Sequence, residues 1–321
     1  MRAALLSLLV VLAACSDNSG PPGPPPPPPL FYVTNNGSGT VSAYAVGDTG
    51  NVTPRLTVSG PSTTLSQPTG IVRDPVGILL VADANPPRIL VFAANAVGDQ
   101  VPIASISGSN TGLSLPRALA LDPTGRLYVA NAGTGSVLIF ANGASGNVAP
   151  AATISGSNTA LFTPEGLAFD FRGRLYVSNA GNNSITIYDA RASGNIKPAD
   201  TLSGTATLLD TPIGIALDPS GRLYVANAST TAANSRVTVF AAGAKGNVAP
   251  IDTLAGASTG LDQPSGVALD AAGKIYVVNG SFTNHVYSIA IFAAGAHGDV
   301  APVGTIAGAN TGLTAPFLLT F

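Results

Sequence analysis

The sequence is poor in cysteine, charge and histidine, and each shortage excludes a class of function. Cys15 is the only cysteine among 321 residues, so no intramolecular disulfide forms. Lys and Arg number 14 against 16 for Asp and Glu, and charged residues make up only 9% of the chain. A basic nucleic-acid binder needs a cationic footprint, which a net charge of -2 does not supply. His285 and His297 are the only histidines, and with no second cysteine they disfavour a zinc centre. After Pro29 no stretch has helical length and period. The chain is rich in apolar residues, 45%, which excludes charge-rich disorder. It is also rich in Gly, 37, and Pro, 26, which favours many turns.

The first residues read as an address and a tether. Met1 and Arg2 are followed by an apolar run from Ala3 to Leu12. That run is too short to span a bilayer, which takes about 20 residues, and suits a secretory signal. It ends in Leu12-Ala13-Ala14-Cys15, which resembles the lipobox of bacterial lipoproteins. The bland alternative is an ordinary signal peptide with a chance cysteine. The resemblance implies a signal peptide over 1–14 and a diacylglyceryl group, with palmitate-type chains, on Cys15 as the mature N-terminus. Each buried acyl CH₂ contributes roughly 0.8 kcal/mol, so several chains make a stable membrane anchor. Ser16 follows where inner-membrane lipoproteins carry Asp, so the resemblance favours the outer membrane, facing the periplasm or the exterior. Residues 15–29 include the run Pro24 to Pro29, a stiff polyproline II spacer.

Residues 30–321 are one repeated unit. Pro68, Pro116, Pro164, Pro212, Pro264 and Pro316 mark it, at spacings of 48, 48, 48, 52 and 52 residues. Each unit holds four short apolar runs divided by Gly, Asn and Pro, such as Leu119–Leu121, Leu127–Val129, Val137–Phe140 and Ala152–Ile154. That is strand composition, and four strands in about 50 residues is the pattern of a β-propeller blade. A β-solenoid is the alternative, with shorter rungs. The expected fold is all-β: a six-bladed β-propeller of four-stranded antiparallel blades. Small residues suit the innermost strand, where blades taper, and Gly166, Gly214 and Gly266 supply them. Residues 317–321 match an innermost strand, whereas Leu30–Asn35 match a second strand. The C-terminal strand 317–321 is therefore expected to join the N-terminal blade and close the ring.

Val81-Ala82-Asp83-Ala84-Asn85-Pro86-Pro87-Arg88-Ile89-Leu90-Val91-Phe92 resembles the NHL repeat. The resemblance covers 30–321 and lies near the gluconolactonase/regucalcin-like propellers. It implies the fold and leaves the activity open. Most units depart from the pattern, with Asn35, Asn131, Asn179, Asn227 and Asn279 where NHL repeats favour Asp. These asparagines end the second strand, where Asn tolerates left-handed backbone. Asp74, Asp122, Asp170, Asp218 and Asp270 each start a tight turn, a structural role preferred to metal binding. Asn147, Asn195 and Asn247 are expected to cap the turns that hold them.

A gluconolactonase-type enzyme would hold Ca²⁺ or another divalent cation at the channel mouth through Glu and several Asn or Asp groups. The residues just after the marker prolines form the ring there: Thr69, Arg117, Glu165, Ile213, Ser265 and Phe317. Glu165 is the only Glu in the chain. Arg117, its neighbour in the ring, is expected to pair with it, which argues against a metal. No Gly-x-Ser-x-Gly element stands between a strand and a helix, and no Gly-rich stretch makes a phosphate loop.

The change in spacing from 48 to 52 is assigned to the loop between the second and third strands of units five and six. Adjacent loops over 229–236 and 281–288 would form a raised wall bearing Arg236, Phe282, His285 and Tyr287. Tolerated loop drift is the competing explanation. The expectation is a monomeric, lipid-anchored, non-enzymatic binding or scaffold propeller of the cell envelope, without cofactor. Its contacts would be Arg117, Glu165, Arg236, Phe282, His285 and Tyr287, and its partner an envelope protein or a small ligand. The alternatives are a lactonase or hydrolase using Glu165 with a divalent cation, and a structural lipoprotein without a small ligand.

Overall fold

In the computed structural model each repeat folds as a four-stranded antiparallel sheet, and six such sheets form a ring. Residues 28–231, 234–280 and 286–321 are described. The protein is a six-bladed β-propeller. Blade one combines the two chain ends, and blades two to six follow in order. In blade three the strands are Pro116–Leu121, Leu127–Asn131, Ser136–Phe140 and Ala152–Ile154, from the axis outward. The second and third of these are buried at every position. A blade is covered on both faces by its neighbours, so its central strands are continuously apolar rather than alternating. The core is accordingly divided into wedges between blades. One wedge joins Tyr128, Val137 and Ile139 of blade three to Leu167, Leu175 and Val177 of blade four.

The ring closes between the chain ends. Leu30–Asn35 pairs antiparallel with Pro316–Thr320, with Tyr32 opposite Thr320 and Val33 opposite Leu319. The closing strand thus begins one residue earlier than expected from the repeat, and Phe321 lies just past it. The Phe321 ring packs edge-on against Tyr276 of blade six, 5.1 Å between centroids. A second closure runs around the rim. The amide of a turn glycine in each blade bonds to the outer strand of the blade before it, from Gly98 N to Thr57 O at 2.7 Å through to Gly50 N to Thr305 O at 2.6 Å.

The repeated asparagines are structural, by routes the sequence did not reveal. Asn131 and Asn179 have φ of -108° and -117°, so they are not left-handed. Their side chains are buried, and each Oδ1 accepts a backbone N–H from the loop leading into its own blade. Asn131 takes Ser114 N at 2.7 Å and Asn179 takes Phe162 N at 3.0 Å. Asp83, the one acid in this series, is compensated by Arg88 at 2.8 Å. Asn147, Asn195 and Asn247 do not cap their own turns. Their Oδ1 atoms accept from Asn110, Asn158 and Ala206 of the preceding blade, each at 2.8 Å, and so staple neighbours together.

The turn aspartates behave as expected. Asp122 Oδ1 accepts the amides of Thr124 and Arg126 at 2.9 and 3.0 Å, and Oδ2 accepts Arg126 Nε at 2.7 Å. Asp170 and Asp218 repeat this with Arg174 and Arg222. These turns define one face of the disc, the turn face. The loops entering each innermost strand, and those joining second to third strands, lie on the opposite loop face. Leu30 starts a second strand, so Pro28 and Pro29 just before it lie at the turn face. The insertions fall where the spacing placed them. The connection between second and third strands spans 132–135 and 180–183 in blades three and four, but 228–235 and 280–287 in blades five and six.

Candidate functional site

The marker proline opens each innermost strand, so the residue after it comes to the loop-face end of the axis. Thr69, Arg117, Glu165, Ile213, Ser265 and Phe317 all occupy that second position. The two hydroxyls turn sideways into the sheet. Thr69 Oγ1 donates to Pro116 O at 2.7 Å and Ser265 Oγ to Pro316 O at 3.4 Å, each joining its blade to the next. Ile213 and Phe317, from blades five and one, share one buried apolar cluster. The Arg117 guanidinium lies 5.3 Å from the centre of the Phe317 ring, a cation–π arrangement. The four bulky members therefore converge over the channel.

Arg117 and Glu165 come together as expected, but imperfectly. Arg117 Nε and Glu165 Oε2 are 3.5 Å apart, with the carboxylate side chain only 8% exposed. At that separation they form an ion pair without a hydrogen bond, and both atoms are buried with no hydrogen-bond partner among the described residues. Such a pair is costly and marks a place where an added polar group would be welcome. Burial lifts the Glu165 carboxyl from 4.5 to about 7, against the pull of Arg117. A divalent cation does not fit this donor set. Glu165 stands against a guanidinium, and among the described residues no three His, Cys, Asp or Glu side chains gather.

The raised carboxyl gives stability a pH dependence of known sign. Ionising Glu165 works against the fold, so its contribution is full below about pH 4.5, declines as pH climbs to about 7, and then levels off. A rise of that size is worth roughly 3 kcal/mol. Glu165→Gln stays neutral throughout. Denaturant midpoints should show the variant gaining roughly 3 kcal/mol on the parent between pH 4 and pH 8. An unchanged difference would mean that the carboxyl is not buried in this way.

Two members of the expected wall, Arg236 and Tyr287, are among the described residues, and each has local partners. Arg236 begins the third strand of blade five and folds back on its own loop, Nε donating to Asn234 O at 2.9 Å and Nη2 to Asn234 Oδ1 at 2.8 Å. Asn234 in turn donates to Asp210 at 3.3 Å. Tyr287 is half-buried against the core wedge between blades six and one. Both side chains are drawn into local structure because each has a partner nearby. Phe282, His285 and Cys15 lie outside the described residues.

Sequence reasoning missed two clefts on the turn face, of about 730 Å³ between blades two and three and about 580 Å³ between blades one and two. The available signal was a departure from the repeat. Blade two carries Ile78 and Leu80 where blade three carries Arg126 and Tyr128.

The fold defines the class, a six-bladed β-propeller. Among solved structures it is similar to a protein of unknown function from Bacteroides caccae, at 10% identity and a TM-score of 0.66, covering 91% of this chain and 98% of that one. A chain of a nidogen–laminin complex is similar at 16% identity and a TM-score of 0.60, covering 91% and 97%. A candidate 6-phosphogluconolactonase from Bacteroides uniformis is similar at 15% identity and a TM-score of 0.58, covering 87% and 82%. At such identities the likeness shows the fold alone. No protein-family model matches the chain, and no curated protein does.

Proposed function

We propose that this chain is a lipoprotein of the cell envelope, held by Cys15 and a proline tether, whose NHL-like propeller is a non-enzymatic binding or scaffold module. One observation carries the binding role: the buried, unsatisfied Arg117–Glu165 pair at the mouth of the channel. It offers a donor and an acceptor to a partner group, beside the aromatic face of Phe317. Pro28 and Pro29, the described end of the tether, lie at the turn face, opposite this site. The lipobox resemblance, with Ser16 after the cysteine, favours the outer membrane.

Two measurements test the reading. Palmitate labelling of the full chain in its host should be lost in Cys15→Ala, which should also move the protein from the membrane to the soluble fraction. Labelling that survives would remove the anchor. Capture of an envelope partner by the purified protein should fall about tenfold in Arg117→Ala, as expected for loss of a buried polar anchor. Unchanged capture would remove the loop-face site. A hydrolase reading keeps one supporting observation, a Glu165 carboxyl titrating near neutrality. It requires turnover of a lactone or ester substrate that Glu165→Gln abolishes.

A further inference from the structure

On the turn face the repeat sets a rule and then breaks it. In blades three, four and five an Arg four residues after the turn Asp lies over a Tyr two residues further on. The separations are 5.6, 5.7 and 5.9 Å for Arg126–Tyr128, Arg174–Tyr176 and Arg222–Tyr224. The pair fills the wedge toward the next blade, and Phe169 closes edge-on upon Tyr128 at 4.9 Å. Blade six keeps a basic residue and the ring, as Lys274 and Tyr276. Blade two has Ile78 and Leu80 instead. Neither fills the space of a guanidinium or a phenol, and the 730 Å³ cleft opens there. Blade one has Leu30 in place of the basic residue, and the second cleft opens beside it. Both clefts thus follow departures from the repeat.

The larger cleft has apolar walls, among them Val72, Ile78, Leu80, Val91, Ile106 and Leu121. Arg73 stands at its rim and borders both clefts. The other blades place Leu121, Phe169, Leu217, Leu269 and Phe321 at this position. The exposed Arg73 guanidinium is 5.9 Å from the centre of the Tyr32 ring and, among the described residues, makes no ion pair. Two carboxylates also line the cleft. Asp122 is neutralised by Arg126 at 2.7 Å, and Asp74 Oδ1 accepts the amides of Val76 and Ile78.

We propose that the cleft between blades two and three binds an anionic amphiphile: an apolar chain or ring along Val72, Ile78, Leu80 and Val91, with its carboxylate or similar group on Arg73. The volume is that of a small-molecule site, and a few polar groups around apolar walls are the usual composition of one. Arginine presents a planar fork that suits a carboxylate. The site is on the opposite face from Arg117 and Glu165, and it stands whether or not the loop-face reading holds.

The repeat itself supplies the controls. Dodecanoate, below its micellar concentration, should bind the purified full chain saturably with one equivalent in calorimetry. The double variant Ile78→Arg/Leu80→Tyr restores the filling pair of blades three to five and should weaken binding at least about tenfold while the protein still melts cooperatively. Arg73→Leu installs the side chain that blades three, five and six already carry. It should weaken dodecanoate about tenfold and leave dodecanol unchanged. The proposal is overturned if dodecanoate does not bind, if it binds the folded double variant as tightly as the parent, or if Arg73→Leu leaves its affinity unaltered. It is equally overturned if dodecylammonium binds the parent as well as dodecanoate does.

Discussion

A chain ending at Ala315 will not fold cooperatively. Residues 316–321 supply the innermost strand of blade one, and nothing else in the ring replaces it. Phe317 and Leu319 are each 8% exposed, and Phe321 packs on Tyr276 and Phe31. Burying such side chains contributes about 1.5–3 kcal/mol each, so the three together approach the whole stability of a typical domain, about 5–15 kcal/mol. Truncation also bares the edge of Leu30–Asn35 and exposes an aromatic wedge, an invitation to aggregate. Circular dichroism should show no single unfolding transition for the shortened chain. A melt within a few degrees of the parent would mean that the ring does not depend on this strand. The milder Leu319→Asp should lower the midpoint of a still cooperative transition.

The second large effect concerns the third position of the innermost strands, where blades come closest. A methyl group on Gly166 would lie 2.2 Å from Ile213 O and 2.7 Å from Ser178 Oγ, and one on Gly70 would lie 2.2 Å from Arg117 O. The obstacles at 2.2 Å are backbone atoms of the next blade, so they cannot rotate away. Replacing Gly by Ala stabilises by about 0.4–1 kcal/mol through the unfolded chain, whereas overpacking a tight core costs about 1–3 kcal/mol or more. The clash wins. Gly166→Ala and Gly70→Ala should each destabilise by about 3 kcal/mol, a fall of roughly 6–10 °C in melting temperature for a domain of this size. Gly266→Ala, whose nearest neighbour would be at 3.0 Å, should be milder. Equal melting temperatures for all three would refute the account of blade spacing.

The prolines and their spacing carried the repeat, and the mismatch between the strands at the two chain ends carried the closure. Both are linear properties, because a blade is a local unit and the ring only sums blades. The ring of second-position residues was legible for the same reason. Equal positions in equal units arrive at equal heights on one axis, so Arg117 and Glu165 had to be neighbours. The roles of the asparagines were legible only as structural. Asn147 bonds to a residue of the preceding blade, and Asn131 to a loop 17 residues upstream, pairings that no turn rule contains. The partner of Arg236 was not legible, because a side chain on a long loop takes its nearest partner, here Asn234, and the length of an insertion says nothing about that.

By itself the chain determined how many units there are, which strand each run forms and how the ends meet, since hydrophobic period and turn chemistry act over a few residues. Tertiary structure alone decided that the Arg117–Glu165 contact is a buried pair 3.5 Å apart without a hydrogen bond, and that Ile78 and Leu80 leave a cleft. Both depend on how far a side chain reaches into the neighbouring blade. That distance is set by the packing of the whole ring and appears nowhere in the order of residues.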